Sequence, residues 1–270
     1  MARPSFDRQP EATAAKAAVV VRNITRRFGT GAKQLVALDN VSFSVADGEF
    51  VALIGPSGCG KSTMLRILAD LEVPDEGQVE IDGRKPEQLR LENRLGVAFQ
   101  HSALLPWRTV EQNISLPLQV ARRPIDREKI AALIDLVGLA GFEKARPAQL
   151  SGGMQMRVSI ARALVSEPRL LLLDEPFGAL DDILRRRLIL EMQDIWSKHR
   201  MTTVLVTHSI PEAVFLADRV IVMAARPGRI HSVVDINLQR PRKPEDMRSP
   251  EFHALADWLG ELLQNSEART

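Results

Sequence analysis

The sequence predicts an α/β protein with a largely parallel sheet. Two observations carry that expectation. The short apolar runs Glu49–Ile54, Arg169–Leu173, Thr203–Val206 and Arg219–Met223 have the length and the Val, Ile and Leu content of strands buried on both faces. Segments with helical spacing, such as the charged amphipathic stretch from about Asp182 to Lys198, stand between them, and such alternation argues for an α/β core. With 270 residues, 45% hydrophobic and 26% charged, the chain can bury a sizeable core.

Taken in order, residues Met1 to about Lys16 are rich in Ala, Arg, Pro and Glu without periodic hydrophobicity, so 1–17 read as a flexible tail with order beginning at Ala18. Val19–Ile24 reads as a strand, Val41–Val45 alternates at period two, and Glu49–Ile54 is a buried strand running into a glycine loop. A helix is predicted from Ser62 to Leu71, then strands at Val79–Ile81 and Leu95–Phe99. Helix-like segments follow near Val110–Val120, Asp126–Val137 and Gly152–Val165, which together read as a helical insertion at about 102–165. After the Arg219–Met223 strand, Pro227-Gly228 signals a turn into the alternating run Arg229–Ile236. Pro241, Pro244 and Pro250 punctuate a charged linker, and Phe252, Leu255, Trp258, Leu259, Leu262 and Leu263 have the spacing of an amphipathic helix docked on the main domain. The expected organisation is therefore a domain at 18–236 followed by a linker and helix at 237–270.

Lysine and arginine total 36 against 34 acidic residues, a net charge of +2 that gives no case for a dedicated nucleic-acid binder. Arg185-Arg186-Arg187 reads as a solvated helix face. No apolar run approaches the ~18–20 residues that span a bilayer, and the N-terminus lacks a signal-peptide core, so a cytoplasmic chain is expected. The lone Cys59 excludes an internal disulfide framework.

Chemistry concentrates at two places. Gly55-Pro56-Ser57-Gly58-Cys59-Gly60-Lys61-Ser62-Thr63 satisfies G-x-x-x-x-G-K-[ST], in which the loop's backbone N–H groups close around phosphate, Lys61 reaches the β- and γ-phosphates, and Ser62 offers a hydroxyl to magnesium. A merely structural glycine turn would have no use for Lys61. Asp174 and Glu175 end the four-leucine strand, at the sheet edge where α/β proteins bind ligands. Asp174 would hold the magnesium shell and Glu175 would orient, or take a proton from, the water attacking the γ-phosphate. The competing reading is an Asp-Glu pair capping a following helix.

With these motifs the sequence resembles the ATPase subunits of ATP-binding-cassette transporters, over about residues 18–236. It also matches that family's signature at Leu150-Ser151-Gly152-Gly153-Met154, its glutamine loop at Gln100, its post-carboxylate loop at Ala179-Leu180-Asp181 and its switch histidine at His208, all in the family's order. The resemblance implies a P-loop NTPase core with a mainly parallel sheet, an N-terminal antiparallel β subdomain and an inserted α-helical subdomain. It implies that Gln100 serves magnesium or the attacking water, that His208 serves the γ-phosphate, and that adenine stacks on Phe28, where tyrosine is commoner and the alternative is an ordinary core phenylalanine. It further implies that Ser151, Gly152 and Gly153 reach the γ-phosphate bound to a second copy, with Asp181 beside them. Read locally, Ser151-Gly152-Gly153 precedes a helix and offers a capping hydroxyl and N–H groups suited to an anion. Met154 departs from the commoner glutamine, with Gln155 one place later, and that leaves the usual side-chain contact in question.

Cys59 lies inside the phosphate loop near a helix start, where backbone dipoles favour a thiolate. The alternative is a small residue tolerated by a tight loop, and in either case alkylation is expected to block nucleotide binding.

The resemblance implies ATP and Mg2+ as cofactors, a homodimer of ATPase subunits, two integral membrane permease subunits, an extracytoplasmic substrate-binding protein as indirect partner, and a peripheral position on the cytoplasmic face of the bacterial inner membrane. Leu104-Leu105-Pro106-Trp107 follows Gln100 where the family's membrane subunits insert a coupling helix; it reads equally as packing for the helical insertion. The runs Leu104–Val110 and Ala225–Ile230 and the Met154-Gln155 variant are similar to the nitrate, sulfonate and taurine importers. The rival reading is a soluble cassette ATPase with a regulatory or nucleic-acid-associated role, and a P-loop kinase is a third.

Overall fold

A computed structural model describes residues 17–31, 34–178 and 180–267. The remainder of the expected tail (1–16) and Ala179 of the post-carboxylate loop lie outside the described residues. In chain order the elements are β1 (Ala17–Phe28), β2 (Leu35–Ala46), β3 (Phe50–Ile54), α1 (Lys61–Leu68), β4 (Glu76–Ile81), α2 (Pro86–Leu91), β5 (Leu95–Ala98), α3 (Val110–Ile114), α4 (Leu116–Val120) and α5 (Arg127–Leu136). They continue with α6 (Gly152–Leu164), β6 (Leu170–Asp174), α7 (Asp182–His199), β7 (Thr202–Val206), α8 (Ile210–Leu216), β8 (Arg219–Ala224), β9 (Arg229–Asp235) and α9 (Pro250–Glu267).

The strands form a six-stranded sheet in the order β5-β6-β7-β3-β8-β9 and a three-stranded antiparallel sheet in the order β2-β1-β4. In the larger sheet every neighbouring pair is parallel except β8 with β9. Its central strands are buried at every position because both faces are covered. Leu171 and Leu173 of β6, with Phe50 and Leu205, join a cluster built with α6, α7, α8 and α9 around Trp196 and Phe215. Leu170 and Leu172, one residue out of phase, join the opposite cluster with Met64, Leu65 and Leu68 of α1 and with Val19, Val21 and Val41 of the smaller sheet. A third cluster, Val110, Ile114, Ile130, Ile134 and Leu139 with Val158 and Ala161, holds α3, α5 and α6 together. Helix α6 belongs to two of the clusters, since Met156 and Ile160 face the sheet while Val158 and Ala161 face the other helices.

The helix expected over Val110–Val120 is two short helices. Pro117 cannot donate the backbone hydrogen bond that would continue the first, and its ring crowds the preceding turn, so the chain restarts after Ser115. Helix α1 stops at Leu68, not Leu71, where Asp70 enters the left-handed region at φ 58°. Helices α2 and α8 carry sequence signals that the apolar periodicity of such short segments does not show: Pro86 opens α2, and Ser209 followed by Pro211 and Glu212 opens α8.

The segment after β9 is anchored to the back of α8. Arg242 is buried and donates to the carbonyls of Val214, Phe215 and Ala217 at the end of that helix at 2.7–3.0 Å, and burial, with the Arg240 cation nearby, brings its pKa down to about 10. Phe252 and Leu259 of α9 are buried in the first cluster, with Leu255, Trp258, Leu262 and Leu263 packed against it. The loop that carries His208 is therefore backed by a braced helix. Among the described residues no helix is long and apolar enough to cross a membrane.

Candidate active site

In a parallel sheet the C-terminal ends of the strands share one edge, and the loops leaving those ends meet there. The order β5-β6-β7-β3 brings Gln100, then Asp174 and Glu175, then His208, alongside the Gly55–Gly60 loop. The loop leaves β3 and closes at Gly60, whose φ of 92° admits the chain into α1 at Lys61. Lys61 Nζ is drawn back over the loop, donating to the carbonyls of Gly55 at 2.7 Å and Pro56 at 2.9 Å. The Ser62 hydroxyl donates to Asp174 Oδ1 at 3.0 Å, joining residues 112 apart in sequence.

Asp174 is buried, and burial pushes its carboxyl pKa up, as does the neighbouring Glu175; the Ser62 hydroxyl, Arg66 and Lys61 pull the other way. Glu175 leaves β6 in the left-handed conformation, φ 47°, with its N–H bonded to the Val206 carbonyl at 2.8 Å. This sharp exit rules out the helix-cap reading of the pair, because the next helix, α7, starts at Asp182 with Asp181 as its cap. Glu175 Oε2 accepts a hydrogen bond from Gln100 Nε2 at 3.0 Å and lies 3.4 Å from His208 Nδ1. The His208 side chain is 62% exposed, free to meet something entering from solvent.

A cleft of about 640 Å³ is lined by Phe28, Val36, Ala37, the loop residues Ser57, Gly58 and Gly60, Lys61, Ser62 and Thr63, and by Gln100, Glu175 and His208. Phe28 is 37% exposed there, with the Arg26 guanidinium 4.8 Å from its ring, so it is not a core phenylalanine. At Cys59 the burial agrees with a small residue tolerated by a tight loop and not with a thiolate. Its side chain is fully buried in the second cluster, and desolvation pushes the thiol pKa up despite Lys61 Nζ at 3.7 Å.

Ser151, Gly152, Gly153 and Asp181 do not line this cleft. Ser151 caps α6, its hydroxyl accepting from Met154 N at 3.3 Å, and is itself exposed. Gly153 packs so closely that an added Cβ would lie 2.7 Å from Leu180 Cδ2, just before α7, and 3.1 Å from Leu184 Cδ2 of α7, whereas Gly152 faces open space. Asp181 Oδ1 accepts from the N–H groups of Ile183 and Leu184.

Two residues without an assigned role in the sequence hold this segment. Gln155 donates to the carbonyls of Pro147 at 3.0 Å and Leu150 at 3.4 Å and accepts from the Ser102 hydroxyl at 3.2 Å. Arg162 donates to the carbonyls of Ser102 and Ala103, both at 2.8 Å. The loop after Gln100 is thereby tied to both ends of α6; Gln155 faces inward, one place after Met154, and serves as a strut. Leu104 packs against the third cluster while Trp107 is 66% exposed, so the run splits between packing and surface.

A strand–loop–helix phosphate cradle with a lysine, a serine bonded to a buried aspartate, and a polarised glutamate beside them defines a P-loop ATPase. Residues 38–178 match the model of the ABC transporter family, and the chain belongs to that family. It is 47% identical over 239 residues, 88% of each chain, to an uncharacterized ABC transporter ATP-binding protein of Methanocaldococcus jannaschii. It is 45% identical to the aliphatic sulfonates import ATP-binding protein SsuB of Bacillus licheniformis, covering 92% of this chain and 94% of that one. Among solved structures it resembles a dimer of the ATP-binding cassette MJ0796 in a post-hydrolysis state bound to ADP and Pi, at 33% identity and a TM-score of 0.75, over 82% of this chain and all of the other. The protein is an ABC ATPase.

Proposed function

We propose that the chain is the ATP-hydrolysing subunit of an importer of an aliphatic sulfonate or a similar small anion. Two copies close on two ATP molecules, and hydrolysis reopens them. The observation that carries the composite site is one of separation: the exposed Ser151 and Gly152 stand outside the cleft of their own chain, where a second copy can use them. The dimeric MJ0796 cassette supports the same assembly, and the SsuB relatives support the import role.

In this reading the loop N–H groups and Lys61 hold the β- and γ-phosphates, and Phe28 stacks on adenine. Ser62, Asp174 and Gln100 are the groups suited to magnesium. They fit it chemically: all offer oxygen, and Asp174 is a buried carboxylate held by the Ser62 hydroxyl. Magnesium is held this way, by one or two protein oxygens together with substrate phosphates, and supplies charge neutralisation on the phosphates when bound. Glu175 orients the attacking water and receives its proton, steadied by Gln100. His208, on a braced loop, donates toward the γ-phosphate.

In the same reading the exposed Trp107 is part of the surface that meets an integral membrane permease, the ATPase works at the cytoplasmic face of the cell membrane, and a substrate-binding protein acts indirectly from outside. The test is purification of the tagged protein from membranes, followed by reconstitution of any co-purified multi-spanning partner. ATPase activity stimulated by alkanesulfonates, taurine or nitrate with a binding protein is the expected result. Co-purification with nucleic acid in a salt-sensitive manner, and with no membrane partner, would replace this reading by a non-transport cassette.

A further inference from the structure

The run Ala225–Ile230 contains a cation that the roles above leave unused. Arg226 lines the cleft, but from the flank opposite the hydrolytic group. Gln100, Glu175 and His208 follow β5, β6 and β7, which lie on one side of β3 and its phosphate loop; Arg226 follows β8, on the other side.

The turn that carries Arg226 is seated against the loop. Gly228 N donates to the Ala37 carbonyl at 3.3 Å, and the Gly228 carbonyl accepts from Asp39 N at 2.9 Å. Arg229 Nε donates to Asp39 at 2.9 Å. A Cβ on Gly228 would lie 2.3 Å from the Cys59 carbonyl and 2.5 Å from that of Ala37, so only glycine permits this approach. The backbone two residues from Arg226 is thus fixed on the phosphate loop and on the strand that borders it. Arg226 itself is exposed, and no carboxylate pairs with it among the described residues. A guanidinium held beside a phosphate cradle without an acidic partner suits a phosphate oxygen.

Resting on the reading of this cleft as the ATP site, we propose that Arg226 binds the nucleotide at its α-phosphate, from the β8–β9 turn. The γ-phosphate belongs to the opposite flank, beside Glu175 and His208, so the contact is one that ATP and ADP share.

The test titrates fluorescent ATP and ADP analogues into the full-length wild type and Arg226→Asn, Arg226→Lys and Lys61→Ala variants. Asparagine is chosen because it accepts the left-handed backbone of this position, φ 55°, while removing the charge. Arg226→Asn is expected to weaken ATP and ADP by the same factor, about tenfold, the scale of one charge-assisted hydrogen bond. Arg226→Lys should lose less, and the unfolding temperature without nucleotide should stay at the wild-type value. Unchanged affinity in Arg226→Asn while Lys61→Ala loses binding overturns the role of Arg226 alone. A loss confined to ATP overturns the α-phosphate assignment, and undiminished binding by Lys61→Ala overturns the reading of the cleft itself.

Discussion

The Gln100 side-chain amide donates to Glu175 Oε2 at 3.0 Å, bridging the ends of two neighbouring parallel strands. That bond orients the carboxylate without neutralising it. Glu175→Gln keeps the size and removes the charge, so it should lower the rate of phosphate release by about 10²-fold or more, as loss of a positioned general base does. ATP affinity should change by no more than about twofold, and an ATP-bound dimer should accumulate on a sizing column. Wild-type turnover in this variant would remove Glu175 from the role of base.

Gly152 and Gly153 are adjacent yet differ in what surrounds them. Alanine at 152 meets nothing within 4 Å and gains helix propensity, so Gly152→Ala should leave the thermal stability of the monomer at or slightly above wild type. Valine at 153 would push on Leu180 and Leu184, the nearest atoms lying 2.7 and 3.1 Å from its Cβ, and should cost about 1–3 kcal/mol by denaturant unfolding. Any loss of ATP-driven dimerisation in Gly152→Ala then reports on the interface and not on the fold. Equal destabilisation by the two changes would contradict the close packing of Gly153 on α7.

Much of the fold is legible in the sequence because strands buried on both faces leave continuous apolar runs, and Leu170–Leu173 is such a run. The phosphate loop and Asp174-Glu175 are legible for a different reason: their chemistry needs fixed residue types at fixed spacing. What stays hidden depends on contacts distant in sequence. Gln155 and Arg162 become struts only because β5 and α6 are neighbours, and Arg226 enters the cleft only because Gly228 lies on Ala37 and Cys59. At Cys59 the sequence leaves two readings open, since the local dipoles are visible there and desolvation, which decides between them, is not.

Burial governs the reactivity of that cysteine. With no exposed surface and a thiol pKa raised chiefly by desolvation, Cys59 should react with iodoacetamide at neutral pH at least about 10²-fold more slowly than after unfolding. Mass spectrometry over a time course reads this directly. Cys59→Ala should retain nucleotide binding, since the side chain packs inward against Gly55 and the second cluster while the loop N–H remains. Rapid modification of the folded protein would show that the thiol faces solvent.

Glu212 supplies a pH-dependent test of the braced helix behind His208. Its side chain is buried, accepts a hydrogen bond from the Thr207 hydroxyl, and lies 3.8 Å from Arg185, beyond hydrogen-bonding range. Burial pushes its pKa up, and Glu175 adds to that, while the Thr207 bond, Arg185 and His208 oppose it. A raised carboxyl pKa means that the folded state holds the proton more tightly than the unfolded chain. The stabilising contribution is therefore complete below the unfolded pKa of ~4.3 and is lost as pH rises through the folded value. Above that value wild type carries a buried negative charge that Glu212→Gln does not, and the glutamine oxygen can still accept from Thr207. Arg185 keeps its bonds to the carbonyls of Phe177 and Leu180, so little is lost on that side. The variant should be more stable than wild type at pH 8 by about 1 kcal/mol, or ~2–4 °C in unfolding temperature, and the gap should close toward pH 5. Differential scanning calorimetry across that range checks it, and a gap that stays constant with pH would show that Glu212 does not titrate out of step with the unfolded chain.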